Sequence, residues 1–130
     1  MIRMKKEKFT IEYPLYNSSE TYLWKMIGDP LGLALWFSDG VTVDRNEYTF
    51  SWDDHSQTAF LLEIKEGKYI RFQWEEDKDT EAYFQLEIVI QDLSGHIGLL
   101  ITDFASSREK GDSILLWNKQ IDDLRRKSGM

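Results

Sequence analysis

Asp103 interrupts an otherwise apolar run from Ile97 to Phe104. A carboxyl held among apolar neighbours has its pKa raised and can work as an acid or as the polar anchor of a ligand. A strand-end carboxylate facing water fits the same residues, so both readings stand. His55 and His96, the two histidines of the chain, each sit in a turn-like stretch with no nucleophile placed beside them, whereas Ser–His–Asp or Cys–His catalysis needs a base next to its nucleophile. Asp53-Asp54-His55 has metal-binding atoms, but adjacent residues of a turn point in different directions, and a chain with two histidines and no cysteine offers few further ligands. Glu75-Glu76-Asp77-Lys78-Asp79-Thr80-Glu81 lacks the loop glycine and ligand spacing of a calcium loop and reads as a solvated hairpin. Gly28, Gly32 and Gly40 match neither standard phosphate-cradling spacing. These residues imply a non-enzymatic protein without cofactor or metal.

The remaining chemistry is aromatic. Five Trp, six Tyr and seven Phe bring the aromatic share to 14%, and rings suit either a dense core or the wall of a pocket for flat, greasy molecules. Trp36, Tyr48, Phe50, Trp52, Phe72, Trp74, Phe84 and Trp117, together with Leu86 and Asp103, are the candidate wall residues. Core packing explains the same rings, so both roles remain open.

The elements that must position them follow from periodicity. Phe9, Ile11 and Tyr13 alternate with polar residues and end at Pro14, a half-buried strand. Asn17-Ser18-Ser19-Glu20 supplies N-cap residues for a short helix with Tyr22, Leu23, Met26 and Ile27 on one stripe, stopping near Gly28. Asp29-Pro30 starts a second helical segment to Trp36. Six short strands follow as an antiparallel meander, 41–43, 47–52, 58–64, 69–75, 82–91 and 97–104, with Thr58, Phe60, Leu62 and Ile64 expected on one alternating face. Asp112-Ser113 are expected to cap a last helix with Ile114, Trp117, Ile121 and Leu124 on its apolar stripe and Arg125 to Lys127 at its cationic end.

The fold class is therefore α+β, a single domain over residues 1–130, with a curved antiparallel sheet of six to seven strands wrapped around a long C-terminal helix. A net charge of −7 predicts repulsion from phosphate backbones, and no basic stripe interleaved with aromatics is present, so nucleic acid is not an expected partner. The opening Met1-Ile2-Arg3-Met4-Lys5-Lys6 lacks the apolar stretch of a signal peptide, and no apolar run is long enough for stable membrane insertion. Without cysteine there is no sign of an oxidising compartment, which leaves a cytoplasmic location as the expectation.

The order of elements, with Leu35-Trp36-Phe37-Ser38-Asp39, Tyr48-Thr49-Phe50-Ser51-Trp52, Ile70-Arg71-Phe72-Gln73-Trp74 and the Trp117, Ile121, Leu124 stripe, resembles the START-like (SRPBCC) superfamily, in the branch related to the activator of the heat-shock-protein-90 ATPase. The resemblance spans nearly the whole chain. It implies a helix-grip fold and a hydrophobic small molecule or lipid between sheet and helix. It also implies a second reading, an interaction module with a filled core that pairs with a chaperone or with itself. A cyclase or hydrolase, which would need Asp103 or Tyr83 projecting into a cavity, is the third. The large side chains on the strand faces leave little room for a cavity.

Overall fold

In the computed structural model, which describes residues 5–130, the chain forms β1 (Glu7–Leu15), α1 (Glu20–Ile27), α2 (Pro30–Trp36), β2 (Gly40–Asp44), β3 (Glu47–Ser51), β4 (Ser56–Lys65), β5 (Tyr69–Trp74), β6 (Phe84–Ile90), β7 (Ile97–Ala105) and α3 (Lys110–Ser128). A 3-10 turn, Glu75–Asp77, follows β5. The stretch Met1 to Met4, part of the opening segment read above, lies outside the described residues.

The seven strands make one curved antiparallel sheet in the order β1-β7-β6-β5-β4-β3-β2, so a six-strand meander is closed at one side by the first strand. Phe9, Ile11, Tyr13 and Leu15 pair with Asp103, Ile101, Leu99 and Ile97, which sets these residues on one face. Because side chains alternate across a strand, the same face collects Phe84, Leu86 and Ile88, then Ile70 and Phe72, then Tyr48 and Phe50, all buried.

Helix α3 closes that face. Trp117, Ile121 and Leu124 recur at the helical repeat and are buried. Polar ties fix the helix in register: Tyr13 Oη donates to Asn118 Oδ1 at 2.6 Å, an Arg125 Nη2 to the Pro14 carbonyl at 2.8 Å, and Gln120 Nε2 to the Phe37 carbonyl at 3.2 Å. Burial raises the Tyr13 phenol above its ordinary pKa, so it stays a hydrogen-bond donor at neutral pH.

The caps of α1 and α2 match their sequence signals. Ser19 Oγ accepts from the Tyr22 amide at 3.1 Å, and Asp29 Oδ1 accepts from the Leu31 amide at 2.9 Å, with Pro30 at the first helical position. Gly32 lets the two helices touch: a Cβ there would stand 1.9 Å from the Lys25 carbonyl oxygen.

Three expectations need correction. The long helix begins at Lys110 rather than after Asp112-Ser113; Glu109 occupies the cap position, and Ser106 accepts the Glu109 and Lys110 amides through its carbonyl. The strand expected over 82–91 is confined to Phe84–Ile90. In β4, Thr58, Phe60, Leu62 and Ile64 do not share a face. Ala59 and Leu61 pair with Trp74 and Phe72 and point inward, and a bulge between Leu61 and Glu63 then adds one residue to the strand. Phe60 points outward, Leu62 is left unpaired at the bulge, and Ile64 turns in again opposite Ile70.

Candidate functional site

Strand directions bring several ends together. The C-terminal ends of β3, β5 and β7, the N-terminal ends of β1, β4 and β6, and the first half of α3 meet at one rim of the concave face. Trp52, Trp74, Phe84, Asp103 and Trp117 stand at that rim. Phe37, the residue that ends α2, fills its centre and is 4% exposed. Its ring lies 5.0 Å from Phe50, 5.8 Å from Phe84, 5.9 Å from Trp117, 6.1 Å from Trp52 and 6.5 Å from Trp74. Such offset and edge-on pairs add about 0.5–1.5 kcal/mol each beyond area burial, although pairs sharing one ring are not additive.

The candidate wall residues divide by depth. Phe50, Phe72, Phe84 and Leu86 are at most 1% exposed, and Tyr48 and Trp117 are buried as well. Phe72 stacks on Phe84 at 5.3 Å and meets Tyr48 edge-on at 4.9 Å. Trp36 is buried behind them, its indole donating to the Met26 carbonyl at 2.8 Å. Trp52 and Trp74 are partly exposed at the rim. Trp74 stacks on Phe84 at 4.9 Å, and Trp52 carries the His55 ring on its outer side at 5.1 Å. Beside Trp74 a pocket of about 350 Å³ opens between Gln57, Thr58, Glu75, Glu76 and Lys78.

Asp103 faces inward. Its Oδ2 accepts the Trp117 indole N–H at 2.8 Å and its Oδ1 accepts the Phe104 amide at 2.7 Å. Burial pushes its pKa above the ordinary carboxylate value; the two hydrogen bonds and the Lys6 ammonium oppose that shift, while the Asp77 carboxylate adds to it. Asp77, 4% exposed, is held by Lys6 Nζ at 2.9 Å. A second pocket, of about 380 Å³, opens beside this pair among Lys5, Asp79, Thr80, Glu81 and Ala82.

The other polar candidates lie elsewhere. His55 Nδ1 is 2.6 Å from Asp54 Oδ1 on the surface, a bond that lowers the Asp54 pKa, and His96 meets Tyr16 edge-on at 5.2 Å. Tyr83 lies on the outer face of the sheet, under the Arg71 guanidinium at 4.4 Å and against Phe104 at 5.0 Å. Phe37 is the residue that the sequence-based candidate set omits. Its position directly after the α2 stripe, next to Trp36, is the signal that could have included it.

A family profile described as the START-like superfamily domain matches residues 3–130. The chain belongs to the START-like superfamily. A solution structure of BfR322 from Bacteroides fragilis is similar to this START-like chain at 37% identity, over 95% of this chain and 91% of that one, with a TM-score of 0.66. CalU16 from Micromonospora echinospora, at 14% identity, covers 92% of this chain and 72% of its own, with a TM-score of 0.69. The Aha1 dimer from Colwellia psychrerythraea, at 9% identity, covers 91% and 92%, with a TM-score of 0.70. At those lower identities the likeness is one of fold. A comparison with curated proteins gives no match. Among the described residues, no helix is long and apolar enough to cross a membrane, and no group of three or more His, Asp or Glu side chains gathers as a metal site.

Proposed function

We propose that this START-like domain binds a small, flat hydrophobic molecule, without transforming it, at the rim where Trp52, Trp74 and Trp117 surround Phe37. The observation that carries this reading is the gradient of exposure along one apolar face: Phe50, Phe72 and Phe84 are closed off while Trp52 and Trp74 remain partly open, Trp74 at the edge of a pocket of about 350 Å³ whose other walls are polar. Binding there gains from burial at about 25 cal/mol per Å² of apolar surface. In this reading the inward carboxyl of Asp103, which already accepts the Trp117 indole and the Phe104 amide, is the polar group that would orient a ligand donor. The filled rows behind the rim favour one or two fused rings over a long lipid chain.

The test is a titration with indole and naphthalene, followed by tryptophan emission and by indole N–H signals. Saturable binding that moves Trp52, Trp74 and Trp117, and that weakens at least tenfold in Trp74→Ala, supports the site. No saturation at millimolar probe, or binding indifferent to Trp52→Ala and Trp74→Ala, rejects it.

A second reading is an interaction module with a filled core. It is favoured by exposed leucines on the helical side, Leu31 at 83%, Leu115 at 66% and Leu116 at 57%. Capture of a protein partner that Leu31→Asp and Leu116→Asp abolish, with probe binding absent, would put it first.

A further inference from the structure

The two edges of the sheet differ in how they are guarded. β1, at one edge, carries Lys8, Glu12 and Pro14, the kinds of residue that discourage another strand from adding on. β2, at the other edge, reads Gly40-Val41-Thr42-Val43-Asp44, with no lysine and no proline. Thr42, Val43 and Asp44 are exposed, Val43 at 42%.

The geometry points to β2 as a self-pairing edge whose occupant is β2 of a second copy of this chain, antiparallel about a two-fold axis at Thr42. This inference is independent of the ligand reading. Three features share that one register. First, Val43 pairs with Tyr48 and Val41 with Phe50, so both valines lie on the concave face, and the axis sets Val43 of each copy against Val41 of the other. The exposed Val43 side chain thereby gains an apolar neighbour. Second, Thr42 pairs with Thr49 and Thr49 with Thr58 on the convex face, with the Thr49 and Thr58 hydroxyls 3.3 Å apart. Placing Thr42 against Thr42 continues that row of hydroxyls across the axis. Third, Asp39 lies just before the strand and Arg45, with φ 61°, opens the turn just after it; both are exposed and, among the described residues, without an ion pair within the chain. The register brings Asp39 of each copy to the same end of the pairing as the turn that carries Arg45 of the other, giving opposite charges at both ends, while Asp44 faces Gly40 and meets no like charge. A shift by one residue loses all three matches and sets the valines of the two copies on opposite faces of the joined sheet.

So short a pairing buries well under the ~1,200 Å² of a standard interface, which makes the dimer weak, on the order of 100 µM in dissociation constant. The experiment is sedimentation equilibrium of the full chain from micromolar to millimolar concentration at low salt, with amide signals followed over the same range. The expected result is monomer passing to dimer, with concentration-dependent shifts centred on Val41 to Val43. Asp39→Arg alone and Arg45→Asp alone each weaken the dimer by about tenfold, because attraction becomes repulsion at both ends, and the double exchange restores it. Thr42→Lys, an exposed change that leaves the core intact, sets two ammonium groups at the axis and abolishes it. A chain that stays monomeric at millimolar concentration overturns the inference. So does a dimer indifferent to Thr42→Lys and both charge changes, or a monomer whose β2 amides respond to an added extended peptide instead.

Discussion

Replacing Phe37 with Ala probes the arrangement most severely, because that ring touches more of the rim than any other side chain. Phe37 is 4% exposed, and five rings beyond its neighbour Trp36 stand within 6.5 Å of it, from β3, its following residue Trp52, β5, β6 and α3. Truncating a buried Phe costs about 3–5 kcal/mol, the sum of lost transfer energy and the void left behind. The upper part of that range applies here, since the facing rings are held from opposite sides by the sheet and α3 and cannot collapse together. For a chain of this length, ~4 kcal/mol corresponds to a fall in Tm of roughly 10–20 °C. The assay is urea unfolding followed by tryptophan emission, with Leu93→Ala as a control because Leu93 is fully exposed. The void is lined by aromatic faces, so indole at millimolar concentration recovers part of the loss in Phe37→Ala and raises the parent chain less. A loss below about 1 kcal/mol would mean that no ring cluster is centred on Phe37.

Further outcomes follow from other contacts. Gly32→Ala pushes a Cβ to 1.9 Å from the Lys25 carbonyl and 2.7 Å from Met26 Cα, so it costs about 1–3 kcal/mol in denaturant unfolding, more if the two helices cannot separate. Ser19→Ala removes the acceptor of the Tyr22 amide and lowers stability by about 1 kcal/mol, with Ser19→Asp restoring it. Asp103 has a raised pKa in the folded protein, so the folded state holds its proton more tightly than the unfolded chain. Its contribution to stability is therefore largest below the ordinary Asp value and is lost as pH rises through the folded pKa. Unfolding free energies across that window should show Asp103→Asn losing most at acid pH, with a smaller gap at pH 7; a gap constant with pH contradicts the inward placement.

Much of this was readable in the residues. Phe9, Ile11 and Tyr13 specify the inner face of β1 because alternation admits one solution, and Asp29-Pro30 marks a helix start through chemistry local to those two residues. The face of β4 was not legible. A single inserted residue at the bulge reverses alternation, and Phe60 and Leu62 carry no mark of the face they take. The start of α3 was displaced for a related reason. Asp112 and Ser113 are good caps, but the chain leaves β7 at Ala105 and turns through Ser106 to Glu109, so the helix begins before reaching them. At the site, the aromatic residues were named from type and alternation, whereas the central place of Phe37 depends on how α2 meets the sheet. For Asp103, the strand period alone left inward and outward open; the Trp117 indole decides it.

Whether the rim around Phe37 holds a small hydrophobic molecule can be read from native mass spectrometry of freshly purified protein beside a denatured sample, with organic extraction of what is released. The expected result is a reproducible extra mass that extracts as a compact aromatic or fused-ring compound and is lost in Trp74→Ala. A bare mass in both samples, under conditions where added naphthalene also fails to bind, would contradict it.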